Sequence, residues 1–222
     1  MRWLKWLGGI VGALALLVGV VFAWGALEYS DHPLIPHKRV TITLPFGAET
    51  EATGIRAMGE VEQYHPFGHP GIDFQWEHSV PLIAVADGTI TSISRAEDMG
   101  EPVWYVTLQT GAYNASYKEL DTYAPGLRNG SKLKQGDLVG TPHCTYFADG
   151  GGHDHCQVHW EWAYTSFVPM VTGKVDRLCP LTYFDAAART RVDAIWASDP
   201  VQQAVLPGFP DLCSGQYAGK DQ

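Results

Sequence analysis

The sequence predicts a mainly β fold: a small antiparallel sheet of barrel or sandwich type with a C-terminal helix, preceded by one N-terminal transmembrane helix. Three observations carry this reading. Short β-branched and aromatic segments between Arg39 and Tyr164 are punctuated by Gly, Asp, Asn and Pro clusters. Helical periodicity is clear in only one later stretch. A long uncharged apolar run stands before everything else. Of the 222 residues, 45% are hydrophobic and 18% charged, which suits one domain with a real core and excludes intrinsic disorder. Lys and Arg number 15 against 24 Asp and Glu. Such a chain lacks the basic footprint that phosphate binding requires, so nucleic acid is not an expected partner.

Arg2 and Lys5 precede the apolar run from Trp6 to Leu27. As a helix this run would be about 33 Å long, enough to cross a hydrocarbon core. The positive flank places the tail inside and everything after Glu28 outside the cytoplasm. An uncleaved anchor over residues 1–28 is the favoured reading; a signal peptide cleaved near Ala23-Trp24-Gly25 is the alternative. Either route puts the domain in the envelope or beyond it. Residues 29–40, with Pro33 and Pro36, read as a short stiff spacer from the membrane. Asp31, His32 and His37 within it are taken as solvated.

The elements then follow in order. Val40, Ile42 and Leu44 alternate in a strand from Arg39 to Pro45. Further strands are expected at Pro81 to Ala86, Thr89 to Ser94, Val103 to Gln109, Ala115 to Leu120, Leu138 to Thr141 and Gln157 to Tyr164. Tight turns at Ala86-Asp87-Gly88-Thr89 and Gln135-Gly136-Asp137 join β-branched segments, as in small barrel-like sandwiches. The first tip carries no Lys, which excludes a lipoyl or biotinyl carrier. Asp185 to Ser198 places Ala188, Val192, Ile195 and Trp196 on one helical face, and Asp199-Pro200 ends it. No internal repeat or low-complexity tract is present. The four cysteines allow three pairings. The sequential pairs Cys144–Cys156 and Cys179–Cys213 are expected, each closing an excursion of the chain. The absence of CxxC argues against a zinc cluster.

Three stretches concentrate side chains suited to chemistry. In Gly68-His69-Pro70-Gly71-Ile72-Asp73-Phe74, His69 and Asp73 share a face of an extended chain but stand about 13 Å apart if it is straight. They can share a metal only if the chain bends at Pro70-Gly71; otherwise they are a surface His and Asp. In His153-Asp154-His155-Cys156-Gln157-Val158-His159-Trp160-Glu161-Trp162, the aromatic positions argue for a strand. Gln157, His159 and Glu161 then line the opposite face, either a polar groove or a half-solvated surface. Ala115-Ser116-Tyr117-Lys118-Glu119-Leu120-Asp121 says little alone. His65, His78 and His143 have no partner at useful spacing and are read as structural.

Together these stretches resemble the lysostaphin/LytM-like zinc endopeptidases, exported enzymes that cut peptide cross-links in bacterial cell walls. The family's HxxxD, alanine-valine strand with Gly turn, YxHL, second Gly turn and HxHxE occur here in that order. They read His69-Pro70-Gly71-Ile72-Asp73, Val85-Ala86-Asp87-Gly88-Thr89-Ile90, Tyr117-Lys118-Glu119-Leu120, Gly136-Asp137-Leu138-Val139-Gly140 and Gln157-Val158-His159-Trp160-Glu161. The resemblance spans Phe67 to Ala163. It implies zinc held by His69, Asp73 and His159, with a water in the open fourth position of a catalytic site. It also implies a peptidase domain over residues 41–180, with a helical extension over 181–222.

Two positions depart from the pattern. The family's two non-ligand histidines fall on Glu119 and Gln157. Glu119 can still act as general base, and the Gln157 amide can donate to an oxyanion. His153 or His155 is a substitute imidazole by nearness in sequence. The leading expectation is a membrane-anchored zinc metallopeptidase acting on peptidoglycan peptides or another envelope peptide. The alternative is a non-catalytic metal-binding module of the same fold that binds wall peptides or regulates another hydrolase. A purely structural barrel is the third.

Overall fold

The structure, a computed structural model, describes residues 10–21, 23, 40–61, 65–98, 100–147, 153–164, 176–199, 203 and 211–213. Two compact units divide the chain. In the first, residues 10–21 are helical and exposed. Among the described residues no helix is long and apolar enough to cross a membrane. Both ends of the Trp6–Leu27 run, the spacer before Val40, and the Gly150-Gly151-Gly152 tract lie outside the described residues.

The second unit is an antiparallel β domain. Its strands are β1 (Gly54–Arg56), β2 (Ile72–Trp76), β3 (Leu82–Ile83), β4 (Gly88–Asp98), β5 (Glu101–Thr110), β6 (Tyr113–Tyr123), β7 (Lys132–Leu133), β8 (Leu138–Phe147), β9 (His153–Tyr164) and β10 (Asp176–Arg177). They form one sheet in the order β1-β2-β9-β8-β6-β5-β4-β7, with β3 on β8, β10 on β9, and β9 also pairing β6. A 3-10 turn (Pro180–Thr182) and an α-helix, α1 (Ala186–Ser198), follow.

Six of the seven expected strands are present; that at Pro81 to Ala86 is shortened to Leu82–Ile83, and several others run longer than their β-branched cores. Thr89 to Ser94 extends to Asp98, and Leu138 to Thr141 extends to Phe147. The extension follows from pairing: once register is set, ladder bonds carry polar residues along with the apolar ones. The strand expected at Arg39 to Pro45 is a correction. Residues near there make isolated bridges, Ile42 with Phe184 and Phe46 with Leu82, so their alternating side chains reach the core without joining the ladder. Asp185 caps α1 by accepting the Ala188 N–H at 2.7 Å. Ala188, Val192 and Trp196 then bury against the same core as the sheet.

That core is aromatic along β9. Val158, Trp160 and Trp162 face inward, with Trp160 stacked on Phe184 at 6.0 Å and Trp162 on Tyr113 at 5.2 Å. Side-chain alternation therefore sends Gln157, His159 and Glu161 to the opposite face. The two glycine turns meet: Asp87 accepts from the Lys134 ammonium at 2.7 Å and the Gln135 N–H at 2.9 Å. Both expected disulfides are formed. Cys144 and Cys156 stand opposite each other in the β8–β9 ladder, so that bond links adjacent strands as well as closing the connection between them.

Candidate metal centre

β2 and β9 pair antiparallel with Asp73 directly opposite His159, which fixes two of the three candidate ligands. The third arrives by the bend at Pro70-Gly71, where the chain turns before β2 begins. A Cβ on Gly71 would sit 2.5 Å from the Trp160 carbonyl, so only glycine lets the backbone pass β9 this closely. The bend brings His69 Nε2 to 3.1 Å from Asp73 Oδ1, where a straight strand would leave them far apart. His69 Nε2 is 3.0 Å from His159 Nδ1, and His159 Nδ1 is 2.7 Å from Asp73 Oδ1. All three residues are at least 95% buried.

Each ring is held from behind. His69 Nδ1 lies 3.1 Å from the Ala57 carbonyl, and His159 Nε2 lies 3.1 Å from Glu161 Oε1. A carbonyl and a carboxylate only accept, so with the proton of each neutral ring on these nitrogens the other nitrogen of each ring is a lone pair open to a metal. Two imidazole lone pairs and a carboxylate oxygen thus converge on one buried point. Acceptors packed at about 3 Å repel unless a cation lies between them. Metal or proton can fill that role, and the three atoms form a two-His, one-carboxylate donor set suited to zinc.

Without a metal, the proton takes the position. Burial pulls the His159 imidazole down, but hydrogen bonds and charge from Asp73 and Glu161 outweigh it and push the pKa up to about 9. Burial raises both carboxylates, yet the histidines hold Asp73 well below the usual range, and His159, Lys118 and Arg177 do the same for Glu161. Glu161 lies on the polar face of β9 beside His159. It accepts from His159, from Lys118 Nζ at 2.6 Å, and faces Arg177 Nε at 3.1 Å. Its i+2 spacing from His159 on a strand was the available signal. Nothing in the sequence marked Arg177, which β10 brings beside β9.

Glu119 and Gln157 are brought together, with Gln157 Nε2 donating to Glu119 Oε2 at 2.7 Å. Glu119 has φ +61, and no other described non-glycine residue has a positive φ. It sits where β6 leaves β9 to pair with β8: Lys118 opposes His159, while Leu120 opposes Pro142 with the register shifted. The left-handed residue lets consecutive side chains, Lys118 and Glu119, both serve the His159 face. Burial and the Asp73 charge raise the Glu119 pKa, partly offset by His159 and the Gln157 hydrogen bond. Tyr117, the first residue of the same motif, is buried; its hydroxyl donates to the Ile83 carbonyl at 2.8 Å and accepts the Val85 N–H at 3.1 Å.

The remaining histidines sort by register. His155 opposes Thr145, two ladder positions beyond Gln157, about 13 Å along the strand from His159. His153 opposes Phe147 in the β8–β9 ladder. His143 stands opposite Gln157. His65, expected to lack a partner at useful spacing, has its ring 5.2 Å from that of His69 and 6.4 Å from that of His159. The turn between His65 and His69 brings them together, which i,i+4 spacing in an extended chain does not suggest.

A curled antiparallel sheet bearing a buried His-Asp-His cluster defines a β domain with a candidate metal centre. Residues 67–167, a little under half of the chain, match the sequence profile of peptidase family M23, in line with the resemblance that the motifs carry. No curated protein sequence matches significantly. Among solved structures, a zinc containing peptidase from Vibrio cholerae is similar at 18% identity, covering 57% of this chain and 37% of that one, with a TM-score of 0.42. Lysostaphin from Staphylococcus simulans is similar at 19% identity, over 60% of this chain and 49% of that one, with a TM-score of 0.42. The catalytic domain of the prophage-encoded M23 protein EnpA from Enterococcus faecalis, as a mutant, is similar at 20% identity, over 64% and 96%, with a TM-score of 0.44. The chain spans less than half the length of the first two.

Proposed function

We propose that the domain is an exported zinc metallopeptidase acting on peptidoglycan peptide cross-links or another envelope peptide. The observation that carries this reading is the convergence of His69 Nε2, His159 Nδ1 and Asp73 Oδ1 within 3.1 Å of one another in a buried site. Those three residues would hold the zinc, which when bound polarises the scissile carbonyl and lowers the pKa of its water toward about 7. Ala57 and Glu161 fix the two rings. Glu119, with its proton affinity raised, takes a proton at its carboxylate and returns it to the leaving amine. Gln157 has two amide N–H groups; one holds Glu119 Oε2, and the second remains to donate to a developing oxyanion.

Export is supported by the two disulfides, which persist in oxidising compartments. Attachment through the Trp6–Leu27 run, with Arg2 and Lys5 inside, is part of the proposal and rests on the sequence. A second reading is a non-catalytic wall-peptide binder or regulator. It is favoured by the Glu119–Gln157 bond, in which two residues standing at the histidine positions of the resembled family engage each other.

The full chain in mild detergent, incubated with purified peptidoglycan with and without a zinc chelator, separates the two. Chelator-sensitive release of fragments identified by mass spectrometry establishes the peptidase and names the bond. Zinc-loaded, folded protein that releases nothing from any wall type overturns it in favour of the binder.

A further inference from the structure

Three strands meet where β6 leaves β9 for β8. Lys118 still faces His159, Leu120 already faces Pro142, and β8 takes up β9 with His143 opposite Gln157. Glu119, Gln157 and His143 therefore stand around this fork, one on each strand. Residues directly opposite in an antiparallel pair project to the same face, so His143 shares the face of Gln157 and His159. It lies one strand across and two residues along from His159, about 8 Å from backbone to backbone. From there an imidazole reaches a peptide held at the ligand cluster.

The His143 ring is only part-buried, yet its Nδ1 is shut in without a hydrogen-bond partner. A neutral imidazole carries one N–H. With no acceptor at Nδ1, that proton is better placed on Nε2, where a ligand can accept it. The position is fixed from both sides. The Cys144–Cys156 bond locks the next pair of the β8–β9 ladder, and the Thr122 and Thr141 hydroxyls join β6 to β8 at 2.9 Å. A one-residue slip of β8 would carry His143 to the opposite face, and the disulfide forbids it.

We propose that His143 is a further catalytic residue, donating its Nε2–H to the carbonyl oxygen of the scissile peptide as charge develops there. The proposal rests on the peptidase reading of the site and gives the Gln157 amide a second donor beside it. When water adds, a C–O bond forms, the carbonyl π pair moves onto oxygen, and Glu119 takes the water proton. His143 and Gln157 hold the oxyanion between them. When the C–N bond breaks, the pair on oxygen restores the carbonyl and Glu119 returns the proton to the departing amine. His143 keeps its own proton throughout.

The test uses the full zinc-loaded chain in mild detergent, a peptide containing the bond cleaved in peptidoglycan, and the phosphinic analogue of that peptide, whose tetrahedral centre carries the oxyanion. His143→Ala is expected to lose about 100-fold in kcat, the cost of one oxyanion donor, with KM, zinc affinity and melting temperature little changed. His143→Gln keeps an N–H and recovers at least about tenfold of that loss. The analogue binds His143→Ala at least about tenfold more weakly than the unaltered protein. In the unaltered protein the side-chain NMR signal of His143 moves when the analogue binds, a readout of contact that does not depend on how the alanine variant folds. Unchanged kcat in His143→Ala, a loss confined to KM, a glutamine variant no better than alanine, or an unmoved His143 signal overturns the proposal. Chelator-sensitive cleavage by the unaltered protein keeps the peptidase reading standing through that failure. If the unaltered zinc-loaded protein cleaves nothing, both fall.

Discussion

Glu119 combines a left-handed backbone, a half-buried carboxyl and a hydrogen bond from Gln157. Non-glycine residues held in that conformation cost of order 1 kcal/mol or more and concentrate where a side chain must be aimed. Glu119→Gln keeps an acceptor for Gln157 but removes the basic oxygen. If the domain is a hydrolase, the variant retains its melting temperature and zinc affinity but loses at least about 100-fold in kcat; if it is a binder, peptide affinity is unchanged. His69, Asp73 and His159 were legible through the family resemblance of their motifs, whereas spacing alone left His69 and Asp73 about 13 Å apart on a straight strand. The aim of Glu119 was not legible, since a register shift at the β6 fork depends on two partner strands.

The His159 proton gives a second consequence at this scale. Its folded pKa is about 9 against an ordinary 6.5. In metal-free protein its contribution to stability is therefore complete below about pH 6.5 and is lost as pH rises through about 9. Asp73 and Glu161, both depressed, contribute above the ordinary carboxylate range, and that share is lost only in stronger acid. Metal-free melting temperatures should be highest between about pH 5 and 7 and fall toward pH 9.5. A melting series that is flat from pH 6 to 10 refutes this coupling.

Among the elements, β6 ties the site to the rest of the sheet. Tyr117 bonds both the Ile83 carbonyl and the Val85 N–H, so it fastens β6 to the segment after β3 from inside the core. Tyr117→Phe leaves the buried Val85 N–H and the part-buried Ile83 carbonyl short of a partner and should destabilise the folded domain by about 1–3 kcal/mol, read by denaturant titration. The long, β-branched strands could be read directly from the sequence. β1, β7 and β10 could not: they have three, two and two residues, too few for alternation to register, and they exist because longer neighbours offer them ladder bonds. β2 was hidden by its glycine bend, the same feature that brings His69 to Asp73.

Across the whole molecule, the β domain and α1 share one core, and the second disulfide binds its ends. Cys179 and Cys213 enclose a separation of 34 residues, for which chain entropy assigns about 4 kcal/mol. Replacing both by serine should lower stability by about that amount, with less effect on zinc affinity because neither cysteine touches the cluster. The fold class was legible in the alternation of short strands with turn residues. The curling of one sheet around a buried charged cluster was not, because it depends on pairings between strands far apart in the chain.

The convergence of lone pairs at His69, Asp73 and His159 has a calorimetric consequence. Near neutral pH the metal-free site holds a proton on His159, and that proton must leave when a divalent cation arrives. Loading will therefore acidify an unbuffered solution by about one proton per site. The heat of loading will vary linearly with the ionisation enthalpy of the buffer. A heat independent of buffer would mean that His159 is already neutral before the metal arrives.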